Sequence, residues 1–424
     1  MAALRRAGAT PAAAGEMRGG HAGHLRRLNL ERVQAFAMDR ATAFTRAELI
    51  QATGLSAPTV GSLVSHLIHR GLVTDLGPGP SRGGRRPFFM EFNARYGFVA
   101  GIALSPIRTQ LALADLRGER LAHLVMPTPP KLGPAALLSH VATATRALIR
   151  EAGLRPDRLL AIGAGAPGSV DPERGMVVAL APNLKGWSNV PMAATLRTSL
   201  GAPVIVENDV NLAVLGERWR GAARGHDNCA FMLVGTGIGA GIVSEGVLHR
   251  GHRFLAGEIA LMCMGPQYVG KDFGPRGCLE TLAGLKALAA RWPRALGDDP
   301  ERWVGDLFEA ARRGERRARK AIEEVATLIG IAVANLSLVL DPSLIVLGGA
   351  IPAQGSLFVQ QVQRTVERII PGPTEIVVSA LGEEATLWGS LLVATTEARD
   401  RLRPHLREVA PRAAGPAAAD RASR

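Results

Sequence analysis

The chain has 424 residues, of which 47% are hydrophobic and 21% are charged, and its formal net charge is +13. This composition can bury a sizeable core, which excludes a wholly disordered chain, and the length indicates two or three domains. The sequence shows no apolar signal segment and no uncharged apolar run near eighteen residues, which predicts a soluble, cytoplasmic protein. No disulfides are expected, because Cys229, Cys263 and Cys278 include no CxxC pair.

The positive charge is concentrated near the two ends of the chain. Residues 1–90 carry +7 and residues 399–424 carry +4, which leaves only +2 for residues 91–398. A basic head on a nearly neutral body predicts a polyanionic partner such as nucleic acid. A general compositional bias is an equally good explanation of the charge alone, because only 5 of the 50 basic residues are Lys.

The first segment of the chain, residues 1–24, shows no hydrophobic periodicity and is predicted to be disordered. The basic tail, residues 399–424, is rich in Pro, Ala and Arg and is predicted to be disordered as well. Between these ends we expect a head domain over residues 25–90 and a large domain over residues 91–398.

The head domain begins with the signature of a helix-turn-helix. Thr45 and Glu48 form a capping box at the start of a short helix that stops at Gly54, a residue suited to a left-handed cap. A second helix, about Ala57–His69, has Pro58 in its first turn and one apolar stripe at helical spacing. Its opposite face begins with small residues that would let the backbone enter a major groove, namely Ser56, Ala57, Thr59 and Ser62.

A glycine- and arginine-rich segment follows the second helix and resembles the wing of a winged helix-turn-helix. Arg82, Arg85 and Arg86 lie at its predicted tip and could contact phosphates or a narrow minor groove. These features predict a domain that binds double-stranded DNA. The alternative is an ordinary helical hairpin with a solvated basic loop.

From residue 96 onward, apolar runs of strand length alternate with helical segments. Examples are FVAGIALS, ALLSHVATATRALIREA, LLAIGAGAP and PVIVEN. This alternation is typical of α/β proteins, and about 300 residues of it predict two α/β lobes with a cleft between them.

Five motifs in this region, taken together and in order, resemble those of the ROK family of bacterial sugar kinases and sugar-responsive repressors. They are Pro182-Asn183-Leu184, Glu207-Asn208-Asp209-Val210-Asn211, Gly235-Thr236-Gly237-Ile238-Gly239-Ala240-Gly241, Ala256-Gly257-Glu258-Ile259 and Gly277-Cys278-Leu279-Glu280. The resemblance covers residues 25–398, and the family's repressor branch carries an N-terminal winged helix. It implies an actin-like ATPase (ribonuclease H-like) fold of two lobes, with sugar and ATP meeting in the cleft.

The polar residues of these motifs suit a sugar site, because carboxylates and amides can pair with adjacent hydroxyl groups. The candidate ligand-binding residues are Asn183, Asn208, Asp209, Glu258 and Glu280. The resemblance implies that Asp209 occupies the position of the general base, which takes a proton from the attacking hydroxyl. Asn208 and Asp209 could instead only cap the helix that follows them.

Two glycine-rich loops correspond to the nucleotide side of the family's cleft. Backbone amides of the first loop (Gly235, Thr236, Gly237 and Gly239) can surround an anion, and Gly348 and Gly349 resemble the adenosine-side loop. Tight turns or close packing would explain the same glycines equally well.

The sequence departs from the family's kinases where their first strand ends in Asp-x-Gly-Gly-Thr. Here Ala103 replaces the carboxylate that helps to hold Mg²⁺, Ser105 and Pro106 replace the glycine pair, and Ile107 replaces the hydroxyl. These changes remove metal and phosphate contacts on which phosphoryl transfer depends. We therefore expect no kinase activity and no cofactor.

A second departure concerns the structural zinc site found in many members of the family. Leu261 stands at the position of the histidine ligand, and only Cys278 remains of the cysteine cluster. Because a structural site needs four N or S ligands, no metal is expected.

The combined prediction is a transcriptional regulator of carbohydrate genes, expected to be a repressor. It would act as a homodimer or homotetramer, bind a DNA operator but no membrane, and sense a sugar or sugar phosphate. One alternative is an active ATP-dependent sugar kinase with an accessory DNA-binding module. Another is a regulator that no longer binds any small ligand.

Overall fold

A computed structural model of the chain describes residues 13–79, 86–292 and 299–403, with side chains from residue 23 onward. The chain divides into two compact units, one of residues Met1–Tyr96 with Arg399–Arg424 and the other of Gly97–Ala398. The division falls after Tyr96 rather than at the expected residue 90. The reason is that Asn93 belongs to the first unit, where its amide groups donate to the carbonyl oxygens of Leu72 and Gly71.

The first unit combines three helices with a small antiparallel sheet of strand order β1-β3-β2. Phe44 pairs with Met90 and Val73 with Phe92, and a bulge interrupts the ladder between Asp75 and Gly77. In chain order its elements are α1 (Ala13–Asp39), β1 (Phe44–Thr45), α2 (Arg46–Thr53), α3 (Ala57–His69), β2 (Val73–Pro78) and β3 (Phe88–Phe92).

The predicted caps of this unit are confirmed. The Thr45 hydroxyl accepts from the Glu48 amide (3.3 Å), and the Glu48 carboxylate accepts from the Thr45 amide (2.7 Å). Gly54 ends α2 with a left-handed φ of 67°. The apolar stripe of α3 is buried, except that its last member, Ile68, is half-buried; the stripe consists of Val60, Leu63, Val64, Leu67 and Ile68.

Disorder was expected at both ends of the chain, but the described residues there are helical. Helix α1 extends over residues 13–24, although four of these twelve residues are glycines, which disfavour helix; residues 1–12 lie outside the described part. Residues 399–402 continue the last helix, since the Leu402 carbonyl accepts from Gln34 Nε2 (2.7 Å) and Arg399 pairs with Asp39 (2.5 Å). Residues 404–424 lie outside the described part.

The second unit begins with a lobe built on a five-stranded sheet of order β10-β7-β4-β5-β6. Strands β4, β5 and β6 form an antiparallel meander, and β7 and β10 extend it in parallel. The elements are β4 (Phe98–Leu104), β5 (Arg108–Asp115), β6 (Arg120–Pro127), α4 (Pro134–Glu151), β7 (Leu159–Ala166), β8 (Ser169–Asp171), β9 (Met176–Ala179), α5 (Met192–Leu200) and β10 (Val204–Asn208).

The second lobe repeats this arrangement with the strand order β15-β14-β11-β12-β13. Again three antiparallel strands are followed by two parallel ones. Its elements are α6 (Asp209–Arg220), β11 (Cys229–Val234), β12 (Ile238–Ser244), β13 (Val247–Leu248), α7 (Gly277–Ala283), α8 (Leu285–Arg291), α9 (Pro300–Arg312), α10 (Arg316–Leu340), β14 (Leu344–Gly348), α11 (Ser356–Glu367), β15 (Ile376–Val378) and α12 (Ala385–Leu402).

The predicted two-lobed α/β architecture is therefore present in the second unit. The apolar runs expected to be strands form β4, β7 and β10, and the predicted long helix is α4. Each lobe has its own hydrophobic core, one around Ile102, Ile162 and Val206 and the other around Met232, Ile329 and Leu347.

Helix α10 is long and apolar enough to cross a membrane, although the sequence analysis found no such run. In the second lobe it packs between α9 and α11, and 56% of its most apolar window is buried. Burial in a protein core accounts for the same hydropathy.

A close crossing of α6 and α12 holds the beginning of α6 in place. A Cβ atom on Gly389 would lie 1.9 Å from the Leu212 carbonyl oxygen, and one on Gly216 would lie 2.2 Å from the Ala385 carbonyl oxygen. Only glycine allows the two backbones to approach so closely.

We expect Gly389→Ala to destabilise the second unit by about 1–3 kcal/mol, because the added methyl group has no room at the crossing. Urea denaturation of the full chain, followed by circular dichroism, measures this loss. Gly305→Ala in α9 is the matched control, since the nearest atom to its new Cβ lies 3.9 Å away. The free energy of unfolding of that control should rise by about 0.5–1 kcal/mol, because Ala favours helix more than Gly does. Equal transitions for both variants would contradict a tight crossing.

Candidate functional site

The second unit contains a cleft at the point where β10 ends and α6 begins. Two adjacent pockets occupy it. The first pocket, a cavity of about 100 Å³, is lined by Glu207, Asn208, Asp209, Arg250, Glu258 and Glu280 among others. The second pocket, of about 210 Å³, is lined by the turn 103–108 and the loop Gly235–Gly237 among others. Asn183, Asp209 and Gly237 line both pockets.

The structure brings all five predicted ligand-binding residues to the first pocket. Asn183 comes from the loop before α5, Asn208 and Asp209 from the β10–α6 junction, Glu258 from the loop after β13 and Glu280 from α7. Asn183 is exposed, and its Nδ2 lies 3.5 Å from the Thr236 carbonyl oxygen.

Asn208 caps α6, as the alternative interpretation expected. Its Oδ1 accepts from the amides of Val210 (2.9 Å) and Asn211 (3.0 Å), and its Nδ2 donates to the Gly168 carbonyl (3.0 Å). Because an amide nitrogen carries two hydrogens, one N–H of Asn208 remains for a ligand. Asp209 is the first residue of the helix that Asn208 caps.

Three carboxylates of this pocket are held in an environment that favours their protonated forms. Burial raises the pKa of Asp209 to about 6. Burial, reinforced by the charges of Asp209 and Glu280, raises the pKa of Glu258 to about 7. Burial also raises the pKa of Glu280. Asp209 Oδ1 accepts from the Val210 amide (2.9 Å), and a polyhydroxylated ligand could supply further hydrogen bonds to these carboxylates.

Two buried oxygen atoms in the first pocket accept no hydrogen bond within the described part of the chain. One is Glu280 Oε1, which lies 3.8 Å from Arg276 Nε while its partner Oε2 accepts from the Ile238 amide (3.1 Å). The other is Asn211 Oδ1. Buried polar atoms are normally satisfied, so both atoms indicate where ligand hydroxyl groups can donate.

Sequence reasoning missed the cluster that orients the site. Glu207 is 3% exposed; its Oε1 accepts from Asn211 Nδ2 (3.0 Å) and its Oε2 from Arg250 Nε (2.6 Å). The spacing of Glu207 and Asn211, four residues apart across the helix start, was the available signal. Arg250, 43 residues further along the chain, had none.

The turn between β4 and β5 forms one wall of the second pocket. The Ser105 hydroxyl donates to the Arg108 carbonyl (2.8 Å) and accepts from the Arg108 amide (3.2 Å). Ser105 therefore closes its own turn, and Pro106 offers no N–H. Ala103 and Ile107 add only apolar surface to this pocket.

Arg108 is the only cation among the described residues that line the second pocket. Its guanidinium pairs with Glu383 (2.5 Å), in the turn before α12, and with Glu301, at the start of α9. Hydrogen bonding to Glu301 raises the pKa of Arg108. The pairs link the first lobe to elements of the second.

Most of the loop glycines are explained by packing. A Cβ on Gly239 would lie 3.2 Å from the Val210 side chain, one on Gly348 2.1 Å from the Phe231 ring, and one on Gly349 2.5 Å from the Val234 carbonyl oxygen. Gly235, Thr236 and Gly237 instead form the turn between β11 and β12 and line the second pocket.

The predicted DNA-contacting residues lie partly within the described chain. Ser56 caps α3, its hydroxyl accepting from the Thr59 amide (3.4 Å), and Ala57 and Ser62 are exposed along the same helix. Ser65 and His69 extend this exposed face and were not predicted. Arg86 is exposed at the start of β3, whereas Arg82 and Arg85 lie outside the described residues.

The structure also places the two residues that correspond to ligands of the structural zinc site discussed in the sequence analysis. Leu261 is 46% exposed and lines the first pocket, and Cys278 is buried in α7. Within the described ranges, no group of three or more His, Cys, Asp and Glu side chains is arranged to hold a metal ion.

Residues 99–397 match the sequence profile of the ROK family. The chain belongs to the ROK family. A xylose repressor of Caldicellulosiruptor bescii is 30% identical over 335 residues, which are 76% of this chain and 84% of that protein. A glucokinase of Thermotoga maritima is 36% identical over 245 residues, which are 54% of this chain and 77% of the enzyme.

A solved structure of similar fold covers both units. It is a ROK family transcriptional regulator described as a homologue of the E. coli Mlc protein; it covers 89% of this chain and 97% of its own, with a TM-score of 0.71 and 23% identity. The ROK family thus includes relatives named as repressors and relatives named as kinases.

The raised pKa of Glu258 makes the stability of the ROK domain fall as pH rises. Between the ordinary value of 4.5 and about 7, the folded state binds more protons than the unfolded chain, so the free energy of unfolding decreases through this range. Glu258→Gln removes this dependence. The difference in free energy of unfolding between Glu258→Gln and the wild type should therefore be about 1–3 kcal/mol more favourable to the variant at pH 8 than at pH 5.

Urea denaturation at the two pH values, without sugar, measures this difference. Glu173→Gln, which alters an exposed carboxylate of the same domain, is the control and should show no pH-dependent gain. A gap between wild type and Glu258→Gln that stays constant with pH would refute the expected titration.

Proposed function

We propose that this protein is a DNA-binding transcriptional repressor of carbohydrate genes that senses a sugar or sugar phosphate and does not phosphorylate it. It would act in the cytoplasm as a homodimer or homotetramer. One juxtaposition supports the proposal most. The cleft keeps Asp209, Glu258 and Glu280 together, while the turn beside them has Ala103 in place of a carboxylate and a Ser105 that closes its own hairpin.

The first unit suits DNA because of its element order and its exposed faces. Helices α2 and α3 are joined by a tight turn at Gly54, and β2 and β3 extend from them as an antiparallel hairpin. This element order supports a winged helix-turn-helix, in which the second helix would enter the major groove. The exposed Ala57 and Ser62 would let the backbone of α3 approach the bases, and the arginines of the hairpin would contact phosphates.

The first pocket suits a sugar because its polar groups converge and are incompletely satisfied. Carboxylates with raised pKa values and the unpaired oxygens of Glu280 and Asn211 would gain hydrogen bonds from hydroxyl groups. The xylose repressor among the relatives agrees with sugar-dependent regulation.

A kinase remains the second candidate, because the Thermotoga maritima glucokinase is 36% identical over its matched region and Asp209 stands at the base position. The pairing of Arg108 with Glu301 and Glu383 argues against it, since these carboxylates face the space that nucleotide phosphates would occupy.

For DNA binding we expect a salt dependence to which the wing arginines contribute. The slope of log K against log salt is negative. Each of Arg82→Ala, Arg85→Ala and Arg86→Ala should reduce its magnitude by roughly one if that arginine contacts a phosphate. The measurement is fluorescence anisotropy with a duplex selected from a random library by the full-length protein. Arg174→Ala, an exposed arginine of the second unit, is the control and should leave the slope unchanged. An unaltered slope in the triple arginine variant would rule out the proposed wing contacts.

For the cleft we expect binding without turnover. Titration calorimetry with D-xylose, D-glucose and their phosphates should detect at least one ligand, and Asp209→Ala should weaken it at least tenfold by removing a hydrogen-bond acceptor. The same variant should blunt the effect of that ligand on DNA affinity and leave ligand-free DNA affinity nearly intact.

Asp209→Asn separates the two candidate functions. Its amide oxygen can still accept a hydroxyl hydrogen bond but cannot act as a general base, so a sensor keeps most of its affinity. ATP hydrolysis that depends on sugar in the wild type and disappears in Asp209→Asn would favour the kinase and overturn the sensor.

A further inference from the structure

We propose that the second pocket binds the uncharged second ring of a disaccharide effector whose first ring occupies the first pocket. The inference rests on the sugar-sensing function proposed above. It assigns a new ligand to the half of the cleft that lies beside the turn 103–108.

The two pockets adjoin each other and share lining residues, Asp209 among them. Asp209, Asn183 and Gly237 line both cavities, and the second is about twice as large as the first, 210 against 100 Å³. A hydroxyl group held by the Asp209 carboxylate would therefore face the second pocket. A substituent on that hydroxyl would extend into it.

The walls of the second pocket favour a ring with apolar faces. They are formed largely by hydrophobic side chains, among them Leu104, Ile107, Phe231, Leu233 and Leu285. Pyranose rings present C–H faces to such surfaces and hydroxyl groups at their edges. The polar groups at the rim, such as the exposed Thr236 and the carboxylates of Glu301 and Glu383, can pair with those hydroxyls.

The charges of this pocket disfavour a phosphate group. Among its described lining residues there are three carboxylates, Asp209, Glu301 and Glu383, and a single cation, Arg108. Two of the carboxylates already engage that cation. The turn beside it offers few free amides, because Ser105 N and Arg108 N donate within the hairpin and Pro106 has none. An anion here would be repelled by these carboxylates, and the turn 103–108 would supply few donors to compensate.

The test is titration calorimetry on the full-length protein with D-glucose, D-xylose, cellobiose, gentiobiose, maltose, isomaltose and xylobiose, and with glucose 6-phosphate and the ATP analogue AMP-PNP with Mg²⁺. At least one disaccharide should bind ten or more times as tightly as its monosaccharide. Glucose 6-phosphate should bind no better than glucose, and AMP-PNP should not compete.

Thr236→Trp should occupy the second pocket and abolish the advantage of the disaccharide, leaving monosaccharide affinity within about twofold of wild type. Val247→Trp is the matched control; Val247 is 67% exposed at the next hairpin of the same sheet and lines neither pocket. If Thr236→Trp does not fold, Ala350→Phe, on the opposite loop of the second pocket, makes the same test.

The outcomes distinguish this inference from the proposed function. Monosaccharide binding with no gain from a second ring, tighter binding of glucose 6-phosphate, or competition by AMP-PNP would overturn the inference and leave sugar binding intact. Failure of every mono- and disaccharide and of glucose 6-phosphate to bind would overturn sugar sensing and this inference together.

Discussion

The architecture of the cleft depends on one steric constraint, the close approach of α12 to the backbones around it. Cβ atoms on Gly163, Gly216 and Gly389 would each lie about 2 Å from a carbonyl oxygen across the contact, at Ser390, Ala385 and Leu212 respectively. This proximity lets the Thr386 hydroxyl donate to the Asp209 carbonyl (3.0 Å) and the Ser390 hydroxyl to the Ile102 carbonyl (3.1 Å). One helix thus positions both the start of α6 and the end of β4, and residues of both line the second pocket.

The first pocket combines this rigid frame with an unfavourable electrostatic arrangement. Glu207 is satisfied by Asn211 and Arg250, so its charge is compensated and it orients its neighbours. Asp209 and Glu258 lack comparable cationic partners, and burial raises their pKa values. Such a site favours a hydroxylated ligand, because the ligand would add hydrogen bonds to carboxylates that burial has separated from water. Such a ligand shifts the arrangement of the lobes only if it binds one arrangement more tightly than another.

Local signals in the sequence predicted local structure well. Helices α2 and α3 have the predicted bounds because capping side chains and left-handed glycines act within a few residues. The five polar motifs meet in one pocket because they follow strand and loop ends that share an edge of the cleft. Pairs such as Arg250–Glu207 and Arg108–Glu383 were not predictable, since their members lie 43 and 275 residues apart and no periodicity links them. The repeated strand order of the two lobes was not predictable from the sequence either, because tertiary packing decides which strands pair.

The turn beside the second pocket is stabilised by contacts within the protein. An open phosphate loop leaves amides unpaired until its ligand arrives, whereas here Ser105 completes the turn and Arg108 is paired on both sides. The carboxylates that pair with Arg108 belong to the second lobe, so these contacts also favour one arrangement of the lobes. Partly exposed ion pairs of this kind contribute only about 0–1 kcal/mol each. A ligand whose affinities for two lobe arrangements differ by a few kcal/mol can therefore displace these ion pairs. A small effector could thus control which arrangement of the lobes is populated.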